Sequence, residues 1–216
     1  MAAPYCYAYP HPAVTTDVVL FGLRAGDLNL LLIRRAHPPF AGRWALPGGF
    51  LEIDEALEDC ARRELLEETG LDGIYLEQLH TFGEVGRDPR ERVISVVYLG
   101  LGRADRLDPR AGDDAAEAAW FSRETLPPLA FDHERIIDHA HQHLAAHMHQ
   151  SPCALRLLPE TFTLDQAREL YQAIWGEVLD APHFHRWLLS FEAIEPAGDT
   201  PAHYCLRAPE SSHDFR

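Results

Sequence analysis

Apolar positions along this chain cluster into short β-prone runs in the first half and widen into helical stripes in the second. Residues 14–24 and 28–33 are rich in Val, Leu and Ile, and Ala25-Gly26-Asp27 turns the chain between them. Residues 74–82, 93–101 and the short 118–121 read as further strands. The stretch 36–42 is a loop containing proline, 83–92 is a charged loop, and 104–116 is polar and acidic. A helix is predicted over 134–148. Beyond Ser151-Pro152 the pattern is an amphipathic helix (164–175), a turn (179–182) and a second helix (183–191). Two short segments, 192–195 and 203–207, then pair around Pro196-Ala197-Gly198-Asp199. Helix, turn, helix and hairpin together suggest a small winged helix. The chain thus divides at about residue 150, into 1–150 and 151–216.

One more helix carries the chemistry. Residues 49–71 read GFLEIDEALEDCARRELLEETGL. Glu64, Glu67 and Glu68 stand at i, i+3 and i+4, so a helix brings them to one face, within an arc of roughly 100°. Leu57, Cys60 and Ala61 lie earlier on that arc, and Glu58, Asp59, Arg62 and Leu66 on the opposite one. The inward face is therefore apolar at first and acidic at its end. Carboxylates so placed repel one another and lose hydration unless a cation joins them. A hard divalent ion such as Mg²⁺ suits oxygen ligands. Pro47-Gly48-Gly49 breaks the chain before the helix. Asp54 is the expected N-cap, with Glu55 in the first turn. Gly70 is the expected C-terminal stop. Arg63 is placed to hold one of the acids.

Composition narrows the setting. The 216 residues, 46% of them hydrophobic, suffice for a real core. No apolar run is long enough for a membrane span, and MAAPYCYAYPHP lacks the basic and apolar segments of a secretory signal. Cys6, Cys60, Cys153 and Cys205 follow no metal-ligand spacing, which points to reduced thiols in a cytoplasmic protein. The formal charge is -15, and every permanent cation is arginine. That excess opposes broad nucleic-acid binding. It does not oppose a phosphorylated substrate, because a bound metal inverts the local sign.

Gly49, Glu55, Arg63, Glu64, Leu65, Glu67, Glu68, Gly70 and Leu71 reproduce, without departure, the motif of the Nudix hydrolases, which this sequence resembles. The resemblance implies an α/β fold, an α/β/α sandwich around a mixed sheet. It also implies hydrolysis of a nucleoside diphosphate linked to another moiety, with Mg²⁺ or Mn²⁺ as cofactor. It assigns Glu64, Glu67, Glu68 and the Gly48 carbonyl to the metal, and gives Glu55 and Arg63 the task of orienting the helix. The general base lies outside the motif. Glu84, Asp113, Asp114 and Glu117 are candidates, with Glu117 preferred.

Pro38 to Pro47, Thr81-Phe82-Gly83 leading into Arg87-Asp88-Pro89-Arg90, and Leu126 to His133 resemble the branch holding ADP-ribose pyrophosphatases and the Nudix-related regulators of NAD metabolism. The reaction implied is ADP-ribose plus water giving AMP and ribose 5-phosphate. Arg34, Arg35, Arg87 and Arg90 are candidates for the phosphate or terminal ribose, since guanidinium forks suit phosphate. Trp44 and Phe40 are candidates to stack on adenine. ADP-ribose, NADH, a dinucleoside polyphosphate or a sugar nucleotide each meet the same metal helix.

Leu158-Pro159-Glu160, Phe162-Thr163-Leu164 and Pro201-Ala202-His203-Tyr204 resemble the winged-helix segment of those regulators. In that alternative, His183, His185 and Arg186 would face DNA. From Ser151 onward, however, acids outnumber arginines about two to one, against the basic character DNA binding needs. With the motif intact, this favours a hydrolase over a regulator. The resemblance and the prevalence of symmetric dimers both point to a homodimer. His139, His143 and His147 share a helix face, but no nearby cysteine or acid completes a compact zinc site, so they read as a solvated face.

Overall fold

The computed structural model of the chain describes residues 7–112, 115–198 and 202–207. Cys6, Asp113, Asp114, Asp199 and Pro201 lie outside the described residues.

The central strand β1 (Ala13–Arg24) organises a mixed sheet. It pairs in parallel with β6 (Val93–Gly102). It pairs antiparallel with β2 (Asp27–Arg35) at one end and with β4 (Gly48–Phe50) at the other. β3 (Trp44–Ala45) and β7 (Ala115–Ser122) pair with β2, and β5 (Tyr75–Phe82) borders β6. Strand parity sorts the two faces. Val18, Leu20, Leu31, Val96 and Tyr98 pack with Ala61 and Leu65 of α1 (Leu57–Thr69). Val19, Phe21, Leu30, Leu32, Val97 and Leu99 pack with Ile136, Ile137, Ala140 and Leu144 of α2 (His133–His147). Two helical layers on a mixed sheet make the α/β/α sandwich.

The chain enters α1 later than the sequence suggests. Ala56, not Asp54, is the N-cap, and it makes no side-chain capping bond. Glu55 precedes the helix instead of joining its first turn. Its carboxylate accepts from Arg63 Nε at 2.7 Å, Arg63 Nη2 at 2.9 Å and the Glu52 N–H at 3.2 Å. These bonds hold 52–55 in a turn that stops short of the helix. Gly70 does close it, with φ 70° and its N–H on the Leu66 carbonyl. β3 and β4, at two and three residues, are too short to leave a periodic trace in the sequence. β7 begins three residues before the expected strand, because pairing with β2 continues past a bulge to Arg35↔Ala115.

The C-terminal part is a winged-helix arrangement. A 3-10 helix (Cys153–Leu157) leads to α3 (Leu164–Trp175), opened by a capping box between Thr163 and Gln166. α4 (Ala181–Leu188) starts two residues before the expected helix and ends three before its expected end. Asp180 caps the His183 N–H, and Pro182 fits the first turn instead of the preceding loop. β8 (Ile194–Pro196) and β9 (Tyr204–Leu206) pair antiparallel as the wing. Leu155, Phe162, Leu170, Tyr171, Ile174, Phe184 and Leu188 belong to the same apolar cluster as α2 and its face of the sheet. Trp175 Nε1 also donates to the Ala145 carbonyl at 2.9 Å. The two parts therefore share one core. His139 packs on His80 of β5, with ring centroids 4.7 Å apart, so this helix face is not wholly solvated. No helix among the described residues is long and apolar enough to cross a membrane, and Cys60, Cys153 and Cys205 are free thiols.

Candidate active site

A cavity of about 470 Å³ opens where β1, β4, the end of α1, the loop 83–92 and the start of α2 meet. That is a usual size for a small-molecule site. Two glycines let β4 lie close against β1 and α1. A Cβ on Gly48 would stand 2.1 Å from the Thr16 carbonyl oxygen, and one on Gly49 would stand 2.3 Å from Glu64 Oε1. Backbone and carboxylate therefore touch where any larger residue would hold them apart.

The three glutamates are not equivalent. Glu68 is 9% exposed and accepts the Gly48 N–H at 2.8 Å. Burial pushes its carboxyl up to about 8, and the neighbouring Glu64 and Asp17 add to the shift. Glu64 is also raised by burial, against the pull of Arg63. The side chain of Glu67 is 58% exposed and is drawn to Arg63 Nη1 at 3.1 Å. The expected inward orientation of Glu67 is thus corrected: its side chain points outward. The buried face of α1 centres on Ala61 and Glu68, and Glu67 lies about 100° from Glu68 around the axis. Among the described residues no three His, Cys, Asp or Glu side chains converge tightly enough to grip an ion as they stand. Glu64 and Glu68 nevertheless form a donor pair suited to a hard divalent cation: both line the cavity, and burial disfavours their charged forms, in Glu64 against the pull of Arg63. For Gly48, the hydrogen bond to Glu68 comes from its N–H.

Arg63 locks this region. Besides Glu55 it donates to Glu64 Oε1 at 2.8 Å and to the Phe50 carbonyl at 3.2 Å. The Arg63 bond holds the Glu55 carboxyl down at about 2.

Of the expected substrate contacts, Arg35, Arg87 and Arg90 line the cavity. Arg34 does not. It donates to the Gly42 carbonyl and stands 3.8 Å from Glu117 on the neighbouring strand. Glu117 is correspondingly half-exposed on β7 and does not line the cavity either. Trp44 packs edge-on against Phe121 at 4.5 Å, as part of the core. Glu84 pairs with Arg135.

The cavity also holds groups to which the sequence alone assigned no role. Asp17, 7% exposed, accepts a short bond from Ser95 Oγ and lies 3.8 Å from Arg87 and 3.7 Å from His133 Nε2. His133 accepts the Leu46 N–H at Nδ1, and burial lowers its basicity. The neutral ring therefore carries its proton on Nε2, facing Asp17. Phe50, Phe131 and Asp88 complete the mouth. One signal for Asp17 was present: it is the acid within an otherwise apolar strand run, where an ionisable group is costly unless used.

Comparison with known proteins agrees with this architecture. Residues 11–140 match the NUDIX domain and residues 154–209 the NrtR DNA-binding winged helix domain. The chain is 34% identical, over 90% of its length and 81% of the relative's, to the ADPR responsive transcriptional repressor NtrR of Acinetobacter baylyi. It is 46% identical to an ADP-ribose pyrophosphatase of Methanocaldococcus jannaschii, over 60% of this chain and 73% of that one. The crystal structure of a MutT/nudix family protein from Enterococcus faecalis superposes with a TM-score of 0.85 at 32% identity, covering 94% of this chain and 89% of that one. The chain belongs to the Nudix family and joins a Nudix domain to a winged helix of the NrtR type.

Proposed function

We propose that the protein is a metal-dependent hydrolase of a nucleoside diphosphate derivative, with ADP-ribose converted by water to AMP and ribose 5-phosphate. The observation that carries this is the complete motif with Glu64 and Glu68 turned into a cavity of ligand size. Glu64 and Glu68 would hold Mg²⁺ or Mn²⁺, joined by Glu67 once its exposed side chain swings inward. The Gly48 carbonyl remains an expected further ligand. A bound divalent ion neutralises the diphosphate and lowers the pKa of water. Arg63, fixed by Glu55, orients Glu64. Arg35 and Arg90 stand at the mouth for the substrate's phosphates. Asp17, bonded by Ser95 and lining the cavity close enough to raise Glu68, takes the place of Glu117 as the candidate to orient the attacking water. A panel of nucleoside diphosphate derivatives, incubated with Mg²⁺ or Mn²⁺ and separated by chromatography, tests the reading. AMP from ADP-ribose supports it, and no turnover of any member rejects it.

A second reading is an ADP-ribose-responsive DNA-binding regulator. It is favoured by the similarity to a repressor that runs through both parts of the chain. The face it would use is weakly basic. His183 is paired with Asp180, His185 lies 3.5 Å from Asp165, and Arg186 is the permanent cation of α4. A gel shift with the upstream region of the protein's own gene, at low salt and with ADP-ribose as competitor, tests it. The reading requires a shift that ADP-ribose reverses.

A further inference from the structure

Of the three arginines in the loop between β5 and β6, Arg92 bonds backbone carbonyls, while Arg87 and Arg90 have surroundings that give them different tasks. Arg87 is 5% exposed. Its Nε and Nη2 donate to Asp132 at 3.1 and 2.7 Å, and Nη2 faces Asp17 at 3.8 Å. Its bonds tie the loop to the start of α2 and to β1. Arg90 is 39% exposed and faces the cavity. The buried Asp88 carboxylate accepts its backbone N–H at 2.9 Å, Nε at 3.1 and 3.2 Å, and Nη2 at 2.7 Å. Nη1 donates to no described residue.

The Arg90 guanidinium also lies over two rings, 5.0 Å from the centroid of Phe50 and 5.8 Å from that of Phe131. Arg35 lies over Phe131 as well, at 4.9 Å, and its hydrogen bonds go to the backbone carbonyls of His37 and Pro39. Phe131 takes φ +53°, rare for a large side chain and a sign of local strain. Two guanidinium groups thus share one ring, and among the described residues the only carboxylate bonded to either is Asp88. The Arg35 guanidinium is thus left without a bonded carboxylate among the described residues, and Arg90 Nη1 is left without an acceptor among them.

We propose that Arg90 receives the oxygens of the substrate's diphosphate outside the metal-binding carboxylates, and that Asp88 is the positioning residue that aims it. The proposal rests on the nucleoside diphosphate reading above. Asp88 holds the fork in one orientation, so less side-chain freedom is lost on binding. Arg87, whose polar atoms face the protein, is the anchor of the loop and takes no ligand.

A double-mutant cycle tests this on the full-length protein. KM and kcat are measured with ADP-ribose, and ADP-ribose binding is measured by calorimetry without metal. Arg90→Gln weakens binding and raises KM by about 10- to 100-fold, the loss of a charged hydrogen-bonding group, with a smaller change in kcat. Asp88→Asn acts in the same direction by about fivefold. The double variant binds no worse than Arg90→Gln alone, because both changes remove one contact. Arg87→Gln instead lowers Tm. Binding by Arg90→Gln within twofold of the original protein would overturn the proposal, as would multiplying effects in the double variant. Binding without turnover in the unaltered protein would defeat the hydrolase reading while leaving this cycle decisive.

Discussion

Gly49 lies flush against the carboxylate of Glu64: a Cβ at that position would stand 2.3 to 2.5 Å from both carboxylate oxygens and their carbon. This contact links the strand entering the site to the helix that leaves it. It assigns the glycine a steric task, since extended backbone there asks for no unusual φ. Gly49→Ala should push Glu64 out of place and reduce turnover by roughly 10- to 100-fold, the scale of a misplaced catalytic group. Tm should change little, because the displaced side chain is at the cavity wall. Steady-state kinetics beside thermal melts check this.

Glu68 sets the pH behaviour of the metal-free protein. Its folded carboxyl titrates near 8 against an ordinary value of 4.5. Folding therefore favours the protonated form. This contribution to stability is fully present below about pH 4.5 and is lost as pH rises through about 8. Glu68→Gln should gain roughly 1–3 kcal/mol over the original chain at pH 9 and nothing at pH 4. Divalent cation should erase the difference by favouring the charged form. Denaturant titrations across pH, with and without Mg²⁺, measure it.

The Glu55–Arg63 pair runs the opposite way. The Arg63 bond lowers Glu55 to about 2, so its support is present above pH 4.5 and fades as pH falls toward 2. Glu55→Gln should lower kcat more than it raises KM, because Arg63 also steers Glu64. An Arg63→Lys variant should not restore the geometry, since lysine cannot reproduce the fork.

Tyr171 is fully buried at the junction of the two parts, and its hydroxyl has no hydrogen-bond partner among the described residues. Tyr171→Phe should be neutral or stabilising by about 1 kcal/mol, because an unsatisfied hydroxyl is removed. Phe162→Ala, in the same cluster, should cost about 3–5 kcal/mol. Both parts should melt together, because the cluster spans them. Differential scanning calorimetry gives both results.

Much of this was legible in the sequence for physical reasons. Long strands such as β1 and β6 show themselves because their buried runs exceed any loop. The acidic helix shows itself because acids at i, i+3 and i+4 are costly without a purpose. Its turn before the helix was not legible, because the long-range pull of Arg63 on Glu55 outweighs the local capping tendency of Asp54. Glu67 and Glu68 are adjacent, and only the packing of Ala61 and Cys60 decides which points inward. The substrate side was hardest. Arg34 and Arg35 are neighbours on one strand and face opposite ways, so composition alone could not choose between them. Asp17, Asp88, Phe50 and Phe131 meet only through the tertiary fold.

The central claim is that Glu68 and Glu64 serve a divalent cation that acts on a nucleoside diphosphate. The most direct measurement is release of AMP from ADP-ribose by the original protein and by Glu68→Gln, with Mg²⁺ and with chelator. The account predicts turnover in the original protein only when Mg²⁺ is present, and a loss of roughly 10²-fold or more in Glu68→Gln, whose fold is kept. Full turnover by Glu68→Gln, or turnover that survives chelation, would contradict it.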